Sequence, residues 1–502
     1  MCIRYLLLLI VLCNSLLLSA QQYKVLRPQE FNPIVPDNVA DPSIVSFDGN
    51  FYLYATTDID QDLTRMGPPV VWKSKDFVNW SFEGIMDLGI DWNKLYQYTD
   101  KSGKQKSGYF RYWAPGNVLK KDNRFYLYAT IVKPDEELGT YVLVADKPEG
   151  PFRFTNGTGV YFNEPAKAAT ETKPLINDID GDPFVDEDGQ AYIYWRRRKA
   201  AAMGTDLVSL KSETVTIPTK FKGYSEGPGL FKRKGIYYYF YTLSGHASYS
   251  NGYMISRKSP LGPFEEPKGE NIFIYSAPEQ QIWGPGHGNV FNLPGTDQYY
   301  FIYLEYGEGG TTRQVYANRI YFNEDGTIKP IAPDQHGVGK LTYIKDKRGV
   351  NIAPSARVTA SSFRADKSVE GTISANEDDK LVTANLPVKK VRRTFSYQSS
   401  NAADLSYATR WRAKEDDQSP WISFDLGKVV KVKSCEMEFV LPTYGHAWVL
   451  EKSVDGVSWV TCATQQEIAV RSPHVAVKPG NARYLRLRIT KGEAGLWEMK
   501  IY

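Results

Sequence analysis

Three carboxylates in this chain share one setting. Asp41 lies in Ala40-Asp41-Pro42-Ser43-Ile44-Val45, Asp182 in Gly181-Asp182-Pro183-Phe184-Val185, and Glu226 in Ser225-Glu226-Gly227-Pro228-Gly229-Leu230. Each opens a short apolar run and has a proline within two positions. A residue directly before proline is held in the extended region. A fourth polar opener, His287, stands in Gly286-His287-Gly288-Asn289. One Asp-Pro step ahead of a strand is an ordinary turn device. Three carboxylates in register with a repeat would lie together, and like charge plus burial would raise at least one pKa. Two carboxyls across a sugar can cleave a glycosidic bond. One gives a proton to the leaving oxygen while the other, ionised, activates water or attacks, and a third carboxylate can hold the acid protonated and oriented. The rival use is a hard cation, although Ca²⁺ generally takes more oxygens than this set offers. No glycine-rich phosphate loop precedes a helix, which argues against phosphoryl transfer.

The elements that must position these groups are visible as a repeat. Phe-Tyr-Leu-Tyr-Ala-Thr occurs at 51–56 and again at 125–130, with looser copies at 191–195, 236–242 and 299–304. Each copy follows a turn signal such as Asp48-Gly49-Asn50 or Asp188-Gly189, and each turn follows another short apolar run. Aromatic and β-branched residues favour pleated structure, so every unit reads strand–turn–strand. Nine to twelve positions ahead of the aromatic strands stand Asp41, Trp113, Asp182, Glu226 and His287. Five such copies predict a five-bladed β-propeller over residues 28–345, whose openers converge on one end of the axis.

The bulk properties fit this reading. The chain has 502 residues, with 42% hydrophobic and 24% charged, which is ordinary for a globular protein of two or three domains. Aromatic content is high at 14%, which suits β-structure and also sugar stacking. A net charge of +4 without a long basic run points away from nucleic acid. Residues 1–20 have a basic start, an apolar core and Ala20 at the boundary, so they read as a signal peptide and imply a secreted or periplasmic protein. A lipoprotein anchor at Cys13 is disfavoured, because Leu12 precedes it where a small residue is usual. No later stretch is apolar for long enough to span a bilayer. Cys435 and Cys462 remain after cleavage and leave open whether they pair. Oligomeric state also stays open.

From Asn351 the character changes. Alternating strands with turn breaks recur through Ala408-Thr409-Arg410-Trp411, Trp421-Ile422-Ser423-Phe424-Asp425-Leu426-Gly427, Ser453-Val454-Asp455-Gly456 and Ala482-Arg483-Tyr484-Leu485. This pattern predicts a β-sandwich over 351–502, so the whole chain is all-β. Residues 370–390 read as a surface loop. Trp411, Trp421 and Trp459 read as core. Tyr444, His446 and Trp448, in a glycine-containing stretch, are the candidate glycan contacts of this half.

The second half resembles the discoidin, or factor V/VIII type C, family over nearly its whole length. That resemblance implies a jelly-roll module that binds carbohydrate or braces its neighbour. The first half resembles glycoside hydrolase family 43 through Asp41 and its strand, Arg111-Tyr112-Trp113-Ala114-Pro115, Gly181-Asp182-Pro183, Ser225-Glu226-Gly227-Pro228 and Gly286-His287-Gly288-Asn289. The resemblance implies an inverting hydrolase. Asp41 would be the general base, Glu226 the general acid, and Asp182 the group that tunes and orients the acid. It also implies that His287 lies on the axis, with a structural Ca²⁺ held there through water. Arg313 would reach a sugar hydroxyl, and Tyr112 and Trp113 would wall the sugar site. Trp72 and Trp195 are weaker candidates, and Arg196-Arg197-Arg198 reads as a solvated edge able to border the pocket. Insertions at 87–109 and 155–173 would build its rim. The implied activity is exo-removal of α-L-arabinofuranosyl units from plant-type polysaccharide. β-D-Xylosidase and β-galactofuranosidase or galactanase are alternatives, and a non-catalytic glycan-binding protein is the alternative from another class.

Overall fold

The computed structural model describes residues 29–59, 64–155, 173–219, 223–243, 246–269, 271–373 and 389–502. The expected signal peptide lies outside them. The first half is a five-bladed propeller. Blade 1 comprises Val39–Phe47, Asn50–Thr57, Val71–Ser74 and Trp80–Glu83. Blade 2 is built on Arg111–Trp113, Arg124–Val132, Leu138–Ala145 and Arg153–Phe154. Blade 3 holds Asp182–Val185, Ala191–Trp195, Lys199–Ala202 and Val215–Thr216, and blade 4 holds Ser225–Arg233, Ile236–Leu243, Ser250–Ser256 and Ile272–Ile274. Blade 5 has three strands, Gly288–Asn292, Tyr299–Glu305 and Gln314–Ile320. The chain closes the ring by running its first described segment beside the last blade. There Ile34 N donates to Val315 O at 2.9 Å, and Asn32 Oδ1 accepts from Ala317 N at 2.8 Å.

The aromatic repeat supplies the second strand of each blade. Its residues alternate between the two faces, so each strand packs against both neighbouring blades. Phe51, for example, meets Phe77 and Phe291 of blade 5, while Tyr54 joins Tyr112 and Leu127 of blade 2. The cores therefore lie between blades and leave the axis to polar openers.

The second half is a β-sandwich around Trp411, Phe424, Met437, Leu485 and Met499. Its longest strands, Trp421–Phe439 and His474–Lys491, pair antiparallel. The two halves meet over several contacts. Arg471–Ser472 of the sandwich adds to the outer strand of blade 1 through Arg471↔Glu83 and Ser472↔Phe82. The hairpin Lys367–Ile373 with Lys389–Phe395 reaches blade 4, where Gly371 packs on Ala247 and Trp283. The expected surface loop at 370–390 is thus ordered strand at both ends, and 374–388 lie outside the described residues. Cys435 and Cys462 are both free thiols. Among the described residues no helix is long and apolar enough to cross a membrane.

Candidate active site

Each of the first four blades bends its inner strand at the same rung of the ladder. In blade 1 the pair Ala40↔Thr56 is the last regular one before a bulge, and Asp41 follows with φ 50°. In blade 2 Trp113 faces Thr130, and Ala114 follows with φ 42°. In blade 3 Arg196 N bonds Ile179 O, and Asp180 follows with φ 66°. In blade 4 Glu226 faces Thr242, and Gly227 follows with φ 50°. A left-handed conformation is uncommon for a residue with a side chain, and clusters of such residues mark sites where the backbone is held for a purpose. Here the kink turns Asp41 and Asp180 into the axial cavity.

That cavity has a volume of about 490 Å³ and is lined by Asp41, Asp180, Glu226, His287, Trp113 and Arg313, among others. The size suits a sugar unit with its waters. Asp41 is 7% exposed. Its Oδ2 accepts from Thr56 Oγ1 at 2.7 Å, and its Oδ1 accepts from Arg313 Nη1 at 3.2 Å. Thr56 is itself fixed by the N–H of Ala114 at 2.8 Å. Arg313 is held by buried Asp58, which accepts from its Nε, Nη2 and backbone N–H. Burial alone would lower the Arg313 pKa, but Asp41 and Asp58 outweigh it and keep the guanidinium charged.

Glu226 receives two phenol hydroxyls: Tyr224 OH donates to Oε2 at 2.6 Å and Tyr249 OH to Oε1 at 2.7 Å. When Glu226 carries a proton, one of these bonds can reverse, because a hydroxyl also accepts. Asp180 sits beside it, with Oδ2 accepting from Gly227 N at 3.1 Å. Burial raises the Asp180 pKa and the nearby Glu226 charge adds to this, against the pull of His287. The His287 ring lies between carboxylates, with Nδ1 3.8 Å from Asp41 Oδ1 and 3.9 Å from Asp180 Oδ2. A Cβ at Gly227 would stand 2.6 Å from that ring, so glycine is required there for space as well as for φ.

Several sequence expectations are corrected by these positions. Asp182 does not line the cavity. Its Oδ1 accepts from Asn117 N at 2.7 Å, and Asn117 Oδ1 accepts from Asn289 Nδ2 at 2.9 Å, tying three blades together around the axis. Asp180, two residues earlier, takes the cavity position expected of Asp182. The Asp-Pro step marks a carboxylate outside the cavity, whereas the pairing partner at the end of the aromatic strand marks the one that lines it. Tyr112 is fully buried in the core between blades 1 and 2, because adjacent strand residues face opposite ways and only Trp113 faces the cavity. Trp72 and Trp195 are core residues. Arg196 lines the cavity and is paired with Asp178 rather than solvated at an edge. No residue of 87–109 lines the cavity; most of that insertion forms a hairpin, Tyr96–Thr99 with Gln105–Gly108. Of the insertion at 155–173, residues 156–172 lie outside the described residues. Tyr224 and Tyr249 carry no motif and were not legible.

In the sandwich, His446 and Trp448 are buried, and Trp448 Nε1 donates to His474 Nδ1 at 3.0 Å. They cannot meet a glycan in this arrangement. Tyr444 contacts the propeller at Gly67 O, 3.5 Å away. Trp411 is core as expected, while Trp421 and Trp459 are half-buried. A Ca²⁺ at His287 would have to be held through water, as the resemblance implies, because the donor set does not fit direct coordination. The nearby Asp41 and Asp180 are engaged as described, and no group of three or more His, Cys, Asp or Glu spaced to hold an ion occurs among the described residues. Ca²⁺ takes six to eight oxygens.

Residues 31–328 match the profile of Glycosyl hydrolases family 43. The chain belongs to glycoside hydrolase family 43. Residues 382–499 match the F5/8 type C domain. The hydrolase resembles a solved structure described as a glycoside hydrolase, at 40% identity and TM-score 0.79, covering 94% of this chain and 99% of that one. It is 28% identical to the β-D-galactofuranosidase xynD of Aspergillus niger, over 61% of this chain and 86% of that protein. It is 26% identical to the arabinoxylan arabinofuranohydrolase of Bacillus subtilis, over 66% of this chain and 68% of that protein. Family 43 enzymes hydrolyse glycosidic bonds with inversion. Inversion requires a water between the base and the sugar, with the acid on the leaving-group side.

Proposed function

We propose that this hydrolase is a secreted, exo-acting enzyme that removes terminal α-L-arabinofuranosyl units from plant-type polysaccharide. The observation that carries the reading is the placement of Asp41, Asp180 and Glu226 around one sugar-sized cavity, on three blades. Asp41 is the general base. Thr56 and Arg313 fix both of its oxygens, so its orientation toward an attacking water is set before substrate arrives. Glu226 is the general acid, aimed by Tyr224 and Tyr249. Asp180 takes the role that the family resemblance implied for Asp182. Two carboxyls so close resist ionising together, so the pair retains a proton for the leaving oxygen. Trp113 supplies an apolar wall.

The furanosyl preference draws on the relatives, which are named for arabinofuranosyl and galactofuranosyl hydrolysis. β-D-Galactofuranose has the α-L-arabinofuranose ring configuration with one further hydroxymethyl carbon. The two substrates therefore differ only in the room needed beyond the ring. β-D-Xylosidase activity is the remaining alternative, in keeping with a xylosidase/arabinosidase relative from Humicola insolens. The deciding experiment is nitrophenol release from nitrophenyl α-L-arabinofuranoside, β-D-galactofuranoside and β-D-xyloside by wild type and Asp41→Asn. Fastest release from the arabinofuranoside, lost in the variant, is expected. Faster release from either other glycoside moves the assignment to that sugar. Equal release by wild type and variant would overturn Asp41 as the base.

A further inference from the structure

One wall of the catalytic cavity is the loop from Tyr306 to Arg313, which joins the last two strands of blade 5. Tyr306, Gly309, Gly310, Thr311 and Arg313 all line the cavity. Glu308, in the middle, turns the other way and is only 2% exposed. Its partners come from the β-sandwich. Arg410 Nη2 donates to Oε1, Tyr397 OH donates to Oε2 at 2.8 Å, and Lys367 Nζ stands 3.8 Å from Oε2. Burial would raise the Glu308 pKa, but Arg410, Tyr397 and Lys367 outweigh it and the net shift is downward.

The ends of the loop are gripped from the same side. Before it, Glu305 accepts from Arg393 Nη1 at 2.6 Å. After it, Gln314 Nε2 donates to Tyr407 O at 2.7 Å, one residue past Arg313. Every anchor, at 305, 308 and 314, faces the sandwich, and the cavity residues lie between them. A buried ion pair gains little stability over a well-packed apolar contact, since two charges must be desolvated. What it supplies is one fixed geometry. The geometry fixed here is that of the loop ending in Arg313, which orients Asp41.

We propose that the β-sandwich is a structural part of the catalytic cavity, and that Glu308 and Arg410 are positioning residues that set the 306–313 wall and, through it, Arg313. The sandwich on this account is not a detachable binding module.

The test uses the full chain and the variants Arg410→Met, Glu308→Gln and their double. Its kinetic arm rests on the hydrolase reading above, read on whichever aryl glycoside the wild type cleaves. Its second arm, amide hydrogen exchange of a peptide spanning 306–313, does not depend on activity. Partial unfolding would lower kcat in proportion to the folded fraction and leave KM unchanged. A displaced wall raises KM, and Arg410→Met should raise it about tenfold with faster exchange in 306–313. The double variant should be no worse than the worse single one, because both remove the same pair. If Arg410→Met yields no folded protein, Tyr397→Phe carries the test, with a KM rise of about threefold and the same exchange change. Folded variants with wild-type KM and wild-type exchange in the loop would overturn the proposal. If the wild type cleaves no aryl glycoside, the functional reading fails, while the exchange result still decides this one.

Discussion

Two groups of buried carboxylates lie on either side of the blade 5 loop. On the sandwich side, Glu305 and Glu308 each meet an arginine, Arg393 and Arg410. On the axis, Asp180 and Asp182 meet backbone N–H groups and a histidine, and no arginine or lysine pairs with either among the described residues. Burial is similar, and the outcomes differ. Four or more bonds and charges bring Glu308 down in pKa despite its burial, whereas Asp182 is pushed up to about 7 by burial that the Asn117 bond and His287 only partly offset. One arginine does not by itself offset burial, since the Glu305 pKa is still raised beside Arg393, whereas Glu308, with several partners, is brought down and serves as an anchor. A carboxylate buried without a cation keeps its proton to higher pH, which suits chemistry. Asp41 shares Arg313 with Asp58, which fixes its orientation in the cavity.

This contrast can be broken at several points. The largest effect is expected at Asp41. Asp41→Asn should lower kcat by about 10² or more on every glycoside, since it removes the group assigned to activate the water. Stopped assays on an aryl glycoside read this directly. Next comes Glu226→Gln. Its loss should reach about 10²–10⁴ on polysaccharide, whose leaving oxygen needs a proton, and be far smaller on a nitrophenyl glycoside, whose leaving group does not. Similar losses on both substrates would remove Glu226 from the acid role. A third comparison separates the two neighbouring aspartates. Asp180→Asn should reduce kcat/KM by about 10-fold or more, and Asp182→Asn only a few-fold, because only Asp180 touches the cavity. The reverse order would restore Asp182 to the catalytic set.

The last prediction concerns stability. The folded pKa of Asp182 is raised to about 7, above its ordinary value of 3.8. The folded state therefore binds its proton more tightly than the unfolded chain. That contribution is full below about pH 4 and is lost as pH rises through about 7. Asp182→Asn removes this dependence. The variant should gain on wild type between pH 4 and 7, by on the order of 1–4 kcal/mol at the upper end. Urea unfolding of both proteins at pH 4.5 and 7.5 measures it, and an unchanged difference between the two pH values would contradict the burial argument.

Much of this is legible in the sequence. The blades were legible because strand structure leaves a period-two pattern, and turn residues mark where each pattern stops. Asp41, Glu226, His287 and Trp113 were legible because repeats in register must converge, and Arg313 was legible only through the family resemblance. Asp180 was not. Whether residue 180 or 182 enters the cavity depends on which residue takes the left-handed kink, and that follows from the rung at which Ile179 meets Arg196. Tyr112 and Trp113 illustrate the same limit. Their order along the strand was plain, but the face turned to the axis was decided by pairing with Thr130 and Ile131. His446 and Trp448 looked like loop residues, and their burial came from a strand, His446–Ser453, laid against His474–Lys491.

The sequence by itself determined an all-β chain of two units and the residue types of a hydrolytic centre, because local periodicity and repeated openers are properties of the chain alone. Tertiary structure decided which aspartate stands beside Glu226, which aromatic faces the cavity, and that Arg410 of one unit grips Glu308 of the other. Those choices depend on register and on contacts across about a hundred residues of chain, where loop closure and packing, rather than local preference, determine which groups meet.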